Sequence, residues 1–149
     1  MIAAAFLNAL HTSHSEQFIL RALRNAGKLT VSLVAEFERV MVGHAAASPV
    51  SISDGTTDWY GLGPISVMPE HQRRGIGSRL VWETLGELRE RGASGCVVLG
   101  EPDFYGRFGF RSEANLMLPD VPTEYFQAMS FGSSAPRGLV TYDMAFTAD

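Results

Sequence analysis

Cysteine is almost missing from this chain: Cys96 is the only one in 149 residues. No intrachain disulfide can form, a cysteine zinc site is excluded, and a reducing, cytoplasmic setting is expected. A basic excess is missing too. Twelve Lys and Arg stand against sixteen Asp and Glu, for a net charge of −4, so nothing drives the whole molecule toward nucleic acid or an anionic membrane, and an anionic ligand must be held locally. No apolar run reaches the roughly 18 to 20 residues of a membrane-spanning helix. The apolar start, Met1 to Leu7, lacks a basic leader and soon meets His11, His14, Glu16 and Arg21, so a secretory signal is not expected. The four histidines (His11, His14, His44, His71) show no metal-ligand spacing, and no metal is expected. Repeats and low-complexity stretches are absent. What remains is an ordinary composition, 46% apolar and 19% charged with 15 Gly and 7 Pro, which fits one domain spanning residues 1–149 with a normal core.

The pattern along the chain alternates between the two common periods. Ser13-His14-Ser15-Glu16 has the form of a capping box, and Phe18, Ile19, Ala22 and Leu23 follow at helical spacing until Asn25-Ala26-Gly27. From Leu29 to Phe37 the period becomes two, predicting a strand. Glu38-Arg39 then turn the chain into a second extended run, Val40 to about Ile52, so the pair reads as an antiparallel hairpin. A third strand is predicted over Trp59 to Met68. Gly61, Gly63 and Pro64 fall inside it, which predicts a bulge or an unpaired stretch.

After Pro69 the spacing of Ile76, Leu80, Val81, Leu85 and Leu88 predicts a helix closed by Gly92, with a Glu87/Arg91 pair. Gly95 to Leu99 is a short apolar strand buried on both faces, and strand, helix and strand in that order imply a parallel crossover. One or two helical turns over Asp103 to Phe108 and an alternating strand near Leu139 to Phe146 complete the chain. The order β-β-β-α-β-α-β indicates a mixed α/β sheet.

The chemistry concentrates where the third strand enters the helix, at Ile65-Ser66-Val67-Met68-Pro69-Glu70-His71-Gln72-Arg73-Arg74-Gly75-Ile76-Gly77-Ser78. The first N–H groups of a helix have no intrahelical acceptors and sit at the positive end of its dipole, so they bind anions. Gly75 and Gly77 let a diphosphate approach the backbone, and Arg73 and Arg74 add local positive charge. Two familiar phosphate loops do not match: Gly77 is followed by Ser78-Arg79 rather than Lys-Ser/Thr, and Leu80 stands where a dinucleotide fingerprint needs its third glycine.

Gln72 to Gly77 instead resembles the Gln-x-x-Gly-x-Gly signature of the GNAT family of N-acetyltransferases, and Val67-x-Pro69 and Leu80 fit as well. Phe104-Tyr105-Gly106-Arg107-Phe108-Gly109-Phe110 is similar to that family's second signature. Together with Leu99-Gly100-Glu101-Pro102 it resembles a bacterial subgroup, the YhbS-type N-acetyltransferases. The likeness covers roughly Leu29 to Phe110. It implies a GNAT-like fold: a mixed, mostly antiparallel central sheet with flanking helices and a splayed pair of parallel strands.

The same resemblance implies acetyl-CoA as cosubstrate and a primary amine, of a small molecule or of a peptide or protein, as acceptor. The backbone of Ile65, Ser66 and Val67 would bond the pantetheine arm, and Gln72, Arg73, Arg74, Gly75, Ile76, Gly77 and Ser78 would hold the diphosphate. Tyr105 is implied as general acid for the leaving thiol, against its plainer reading as an aromatic core anchor. For a base, no acidic residue lies between Trp59 and Met68; Glu101 and His44 are the weak candidates, and a water chain or an amine that binds neutral would serve as well. Cys96 reads as a small core residue, Arg107 as the partner of a local carboxylate rather than a contact of the ligand, and Phe6, Tyr125, Phe126 and Phe131 as core or as lining of an acceptor pocket. The family's first strand has no counterpart before Ala3, so either it is missing or the start is internal, and an uncovered sheet edge would favour a homodimer. The alternative is a module that binds acyl-CoA as a sensor without turnover.

Overall fold

The computed structural model describes residues 30–132 and 135–142. The helix expected over Ser13 to Gly27, the question of a first strand, and the end of the last strand beyond Tyr142 lie outside those residues. Strands β1 (Val31–Phe37), β2 (Val40–Pro49), β3 (Ser51–Ile52) and β4 (Trp59–Val67) come first. Helix α1 (Ile76–Glu90), strand β5 (Gly95–Leu99) and the short helix α2 (Pro102–Tyr105) follow, then β6 (Leu116–Met117), β7 (Phe126–Ser130) and β8 (Gly138–Thr141). The main sheet has the order β1-β2-β4-β5-β7, and a smaller one has the order β3-β8-β6. Every neighbouring pair of the main sheet is antiparallel except β4/β5. This is the mixed, mostly antiparallel architecture expected.

The hairpin of β1 and β2 turns on Glu38 and Arg39, both at positive φ (50° and 67°), the geometry of a two-residue turn matched to strand twist. β2 is shorter than expected. It ends at Pro49, and Ser51-Ile52 leaves the main sheet to pair with β8. Alternation alone does not reveal that change of sheet, because the apolar pattern runs through Pro49. β6 and β7 are two strands that periodicity did not predict.

β7 lies between the short turn at Thr123–Tyr125 and Phe131, and pairs antiparallel with the whole of β5. Its polar Gln127 is 2% exposed, with a side-chain amide that donates to the Gly100 carbonyl at 3.1 Å. A buried polar residue so satisfied breaks the sequence pattern without breaking the strand. Phe126 is buried and Phe131 packs on the core, while Tyr125 is exposed.

Helix α1 buries the predicted stripe, Leu80, Val81, Leu85 and Leu88, and adds Thr84, whose hydroxyl donates to the Leu80 carbonyl at 2.8 Å. Gly92 ends it at φ 81°, and Glu87 meets Arg91 at 3.7 Å. Its first turn rests directly on the sheet at Gly43, where a Cβ would stand 3.1 Å from Leu80 and 3.3 Å from Ile76. One apolar cluster, with Leu62, Leu85, Cys96 and Val98, fills the space between α1 and the sheet. A second, with Trp59, Val97, Phe126 and Val140, fills the opposite side under the small sheet. β5 is therefore buried on both faces up to Val98. No helix of the described residues is long and apolar enough to cross a membrane.

Candidate active site

The site follows from one interruption. β4 and β5 run parallel and paired from Trp59/Gly95 to Leu62/Val98, and the pairing stops there. Gly63 (φ 146°) and Pro64 form an irregularity opposite β2, where Ala45 faces Ile65 and Ala47 faces Leu62. Beyond it β4 keeps β2 as its neighbour, through His44/Ser66 and Gly43/Val67, but has parted from β5.

In an antiparallel pair, successive residues turn their backbone groups alternately toward and away from the partner. Met68 donates to the Val42 carbonyl at 2.8 Å, so Ser66, two residues earlier, also turns toward β2. The N–H and C=O groups of Ile65 and Val67 therefore face the gap. The Val67 carbonyl accepts from the Gln72 side chain at 3.0 Å.

The gap opens into a cleft of about 590 Å³ lined on one wall by Ile65, Ser66, Val67 and the start of α1, and on the other by Phe104 and Arg107. Chain enters α1 through Arg73 (φ 66°) and Gly75 (φ 80°), both in the left-handed region. That path turns the helix start toward the opening. The first helical bond inside α1 runs from Arg79 N–H to the Gly75 carbonyl, which leaves the amides of Ile76, Gly77 and Ser78 without intrahelical acceptors.

Of the residues expected to hold the coenzyme, Ile65, Ser66, Val67, Gln72, Arg73, Gly75, Gly77 and Ser78 line the cleft. Arg74 is exposed outside it, and the Ile76 side chain turns to Gly43 and the groove beside β1. Gln72 is committed within the turn: its own N–H donates to the Pro69 carbonyl at 3.3 Å and its side chain ties the loop to β4.

The second signature forms α2 and the tight turn Gly106–Phe108, ended by Gly109 at φ 105°. Phe104 and Arg107 face the cleft, whereas Tyr105 turns inward. Its ring is 8% exposed, packs edge-on to Phe104 and Phe110 with centroids 4.9 and 6.0 Å away, and lies so close to Gly100 that a Cβ there would stand 2.5 Å from it. Burial pushes its phenol up to about 12. Cys96, fully buried on β5, has its thiol pushed up to about 12 for the same reason, and is a core residue as expected.

The two base candidates do not join the cleft. Glu101 is exposed at the start of α2, where its carbonyl accepts from Tyr105 N–H at 3.0 Å. His44 is wholly buried in β2, with Nε2 and the Ser32 hydroxyl 3.0 Å apart. Arg107 corrects the sequence expectation: it joins no ion pair among the described residues, and its guanidinium carbon lies 5.3 Å from the centroid of the Phe104 ring. The turn at Gly106–Phe108 carries Arg107 to the cleft side. Among the described residues no cluster of three His, Cys, Asp or Glu side chains could hold a metal ion.

Residues 2–110 match the sequence model of the "Acetyltransferase (GNAT) family". The chain belongs to the GNAT family. Among GNAT relatives, the uncharacterized N-acetyltransferase YhbS of Escherichia coli K12 is 36% identical over 112 residues, covering 74% of this chain and 67% of that protein. A GNAT family acetyltransferase from Brucella melitensis, solved in complex with acetyl-CoA, is 45% identical, with a TM-score of 0.80 over 96% of this chain and 85% of that one. The structure of E. coli YhbS in complex with CoA has a TM-score of 0.84 at 31% identity, over 99% of this chain and 88% of that one.

Proposed function

We propose that this GNAT protein is an N-acetyltransferase that moves the acetyl group of acetyl-CoA onto a primary amine of a small molecule, peptide or protein. The observation that carries the reading is a single cleft in which strand backbone without a neighbouring strand, at Ile65 and Val67, runs directly into the free amides that begin α1. Those groups fit the coenzyme's chemistry in order. Amide-bearing pantetheine suits the strand edge, and a diphosphate suits the helix start with Arg73 beside it. No carboxylate among the described residues lines the cleft to repel it.

Transfer forms a bond between the acceptor nitrogen and the acetyl carbon while the carbon–sulfur bond breaks. The nitrogen loses a proton and the sulfur gains one. Tyr105 is the acid in this reading, which requires its buried phenol, set behind Phe104 and outside the cleft lining, to reach the sulfur once the coenzyme is bound. Its raised pKa keeps the phenol protonated throughout the working range, and Gly100 and Phe110 fix its ring. Among the described residues the cleft lining holds no carboxylate or imidazole, and in this reading the acceptor enters as the neutral amine or passes its proton to water.

The lack of a base among the described cleft residues is also the observation favouring a second reading, an acyl-CoA sensor without turnover. Thiol release from acetyl-CoA, followed with a panel of polyamines, amino sugars and peptide amines, decides between them. Acceptor-dependent release with a product heavier by one acetyl group is the expected result. CoA binding with no such release for any amine would assign the sensor.

A further inference from the structure

We propose that Gln127 is a positioning residue for Tyr105, fixing through the Gly100 carbonyl the wall on which the phenol ring rests; the inference rests on the reading of Tyr105 as the acid. Strand β5 pairs with β7 as far as Leu99/Phe126. Just beyond, the Gly100 N–H still donates to the Tyr125 carbonyl at 2.9 Å. In a regular antiparallel ladder the Tyr125 N–H would return that bond to the Gly100 carbonyl. Here it donates instead to the Pro122 carbonyl at 3.0 Å, closing the short turn at Thr123–Tyr125. The side-chain amide of Gln127 supplies the donor that the turn has taken away, at 3.1 Å from the Gly100 oxygen.

Gly100 is in direct contact with Tyr105, since a Cβ there would stand 2.5 Å from the ring. Glycine has the widest backbone freedom of any residue, so the peptide that follows Gly100 is held by its hydrogen bonds. Another neighbour of the ring is tied to the same strand. Phe110 packs edge-on to Tyr105 and leads into Arg111, which exchanges backbone hydrogen bonds of 2.8 and 3.1 Å with Ala128. Two consecutive residues of β7, Gln127 and Ala128, therefore fix two contacts of one phenol, through Gly100 and Phe110. Methionine would fill the 2% exposed site of Gln127 equally well; what the amide adds is the bond to Gly100. A buried acid that must reach the leaving sulfur tolerates little displacement, because proton transfer depends steeply on geometry.

Steady-state kinetics of the full chain, with an acceptor found by the thiol-release panel, tests the assignment in Gln127→Met, Gln127→Asn, Tyr105→Phe and the two double variants. Methionine keeps the shape and removes the donor; asparagine keeps an amide one methylene too short. Each is expected to lower kcat about tenfold with the KM for acetyl-CoA within about twofold. In the Tyr105→Phe background the same changes lower kcat by less than about twofold, because residues that act through one another are not additive. Given a slow Tyr105→Phe, unchanged turnover in the Gln127 variants, or an equal fall with and without the Tyr105 hydroxyl, overturns the inference and leaves the acid reading intact. Failure of both Gln127 variants to fold overturns it too, since that is the mark of a purely structural role. Tyr105→Phe with the wild-type kcat, or wild-type protein that turns over with no amine, overturns the acid reading and the inference together.

Discussion

Tyr105 carries the sharpest consequence at the scale of single residues. If its phenol protonates the leaving sulfur, Tyr105→Phe lowers kcat by about 100-fold or more while the KM for acetyl-CoA stays within about twofold; steady-state kinetics with a saturating acceptor reads both. Gly100 belongs to the same prediction, because a methyl group there would meet the Tyr105 ring at 2.5 Å. Gly100→Ala therefore lowers kcat through displacement of that ring. The lack of a carboxylate or imidazole among the described cleft residues gives a second expectation. With the acceptor supplied as neutral amine, kcat/KM rises about tenfold per pH unit below the amine's own pKa and then levels, and a pH profile with two amines of different basicity checks that the break moves with the amine. These expectations were partly legible in the sequence, since Tyr105, Gly75 and Gly77 sit in recognisable spacings. The burial of His44 was not, because a lone histidine in an alternating strand reads the same whether its face meets solvent or protein.

Elements place those residues. The hairpin joining β1 and β2 holds two non-glycine residues at positive φ, Glu38 and Arg39, each strained by the Cβ against backbone. Replacing them together by Asn-Gly stabilises the protein by about 1 kcal/mol, seen as a higher urea midpoint at unchanged m-value. At the other end of the sheet system, Gly75 enters α1 at φ 80°. Gly75→Ala is expected to destabilise by about 1 kcal/mol and to weaken CoA binding as the helix start shifts; calorimetry and denaturation separate the two effects. α1 itself was fully readable, from its stripe to Gly92, because a 3.6-residue period needs no knowledge of distant partners. β7 was not. Its pairing with β5 is long-range, and Gln127, whose side-chain amide donates to the Gly100 carbonyl across the fold, looks in isolation like a loop residue.

Over the whole molecule, burial makes stability depend on alkaline pH. The Cys96 thiol is raised from 9.0 to about 12 and the Tyr105 phenol from 10.0 to about 12, so folding favours both neutral forms. Their contribution is complete below about pH 9 and is lost as pH rises toward about 12, because the unfolded chain gives up those protons first. The urea midpoint is expected to be flat from pH 7 to 9 and to fall above it, with a shallower fall in Tyr105→Phe. A midpoint independent of pH up to 11 would contradict the buried placement of both groups. By itself the sequence determined the helix, the hairpin, the glycine-bearing entry to α1 and the kind of anion it suits, all of them properties of neighbouring residues and their backbone preferences. Only the tertiary structure decided that β4 and β5 part after Leu62 and Val98, that Arg107 reaches the cleft, and that Glu101 and His44 stay out of it. Those outcomes depend on which distant segments share the limited buried surface, and that competition is settled by packing across the sheet rather than by any local pattern.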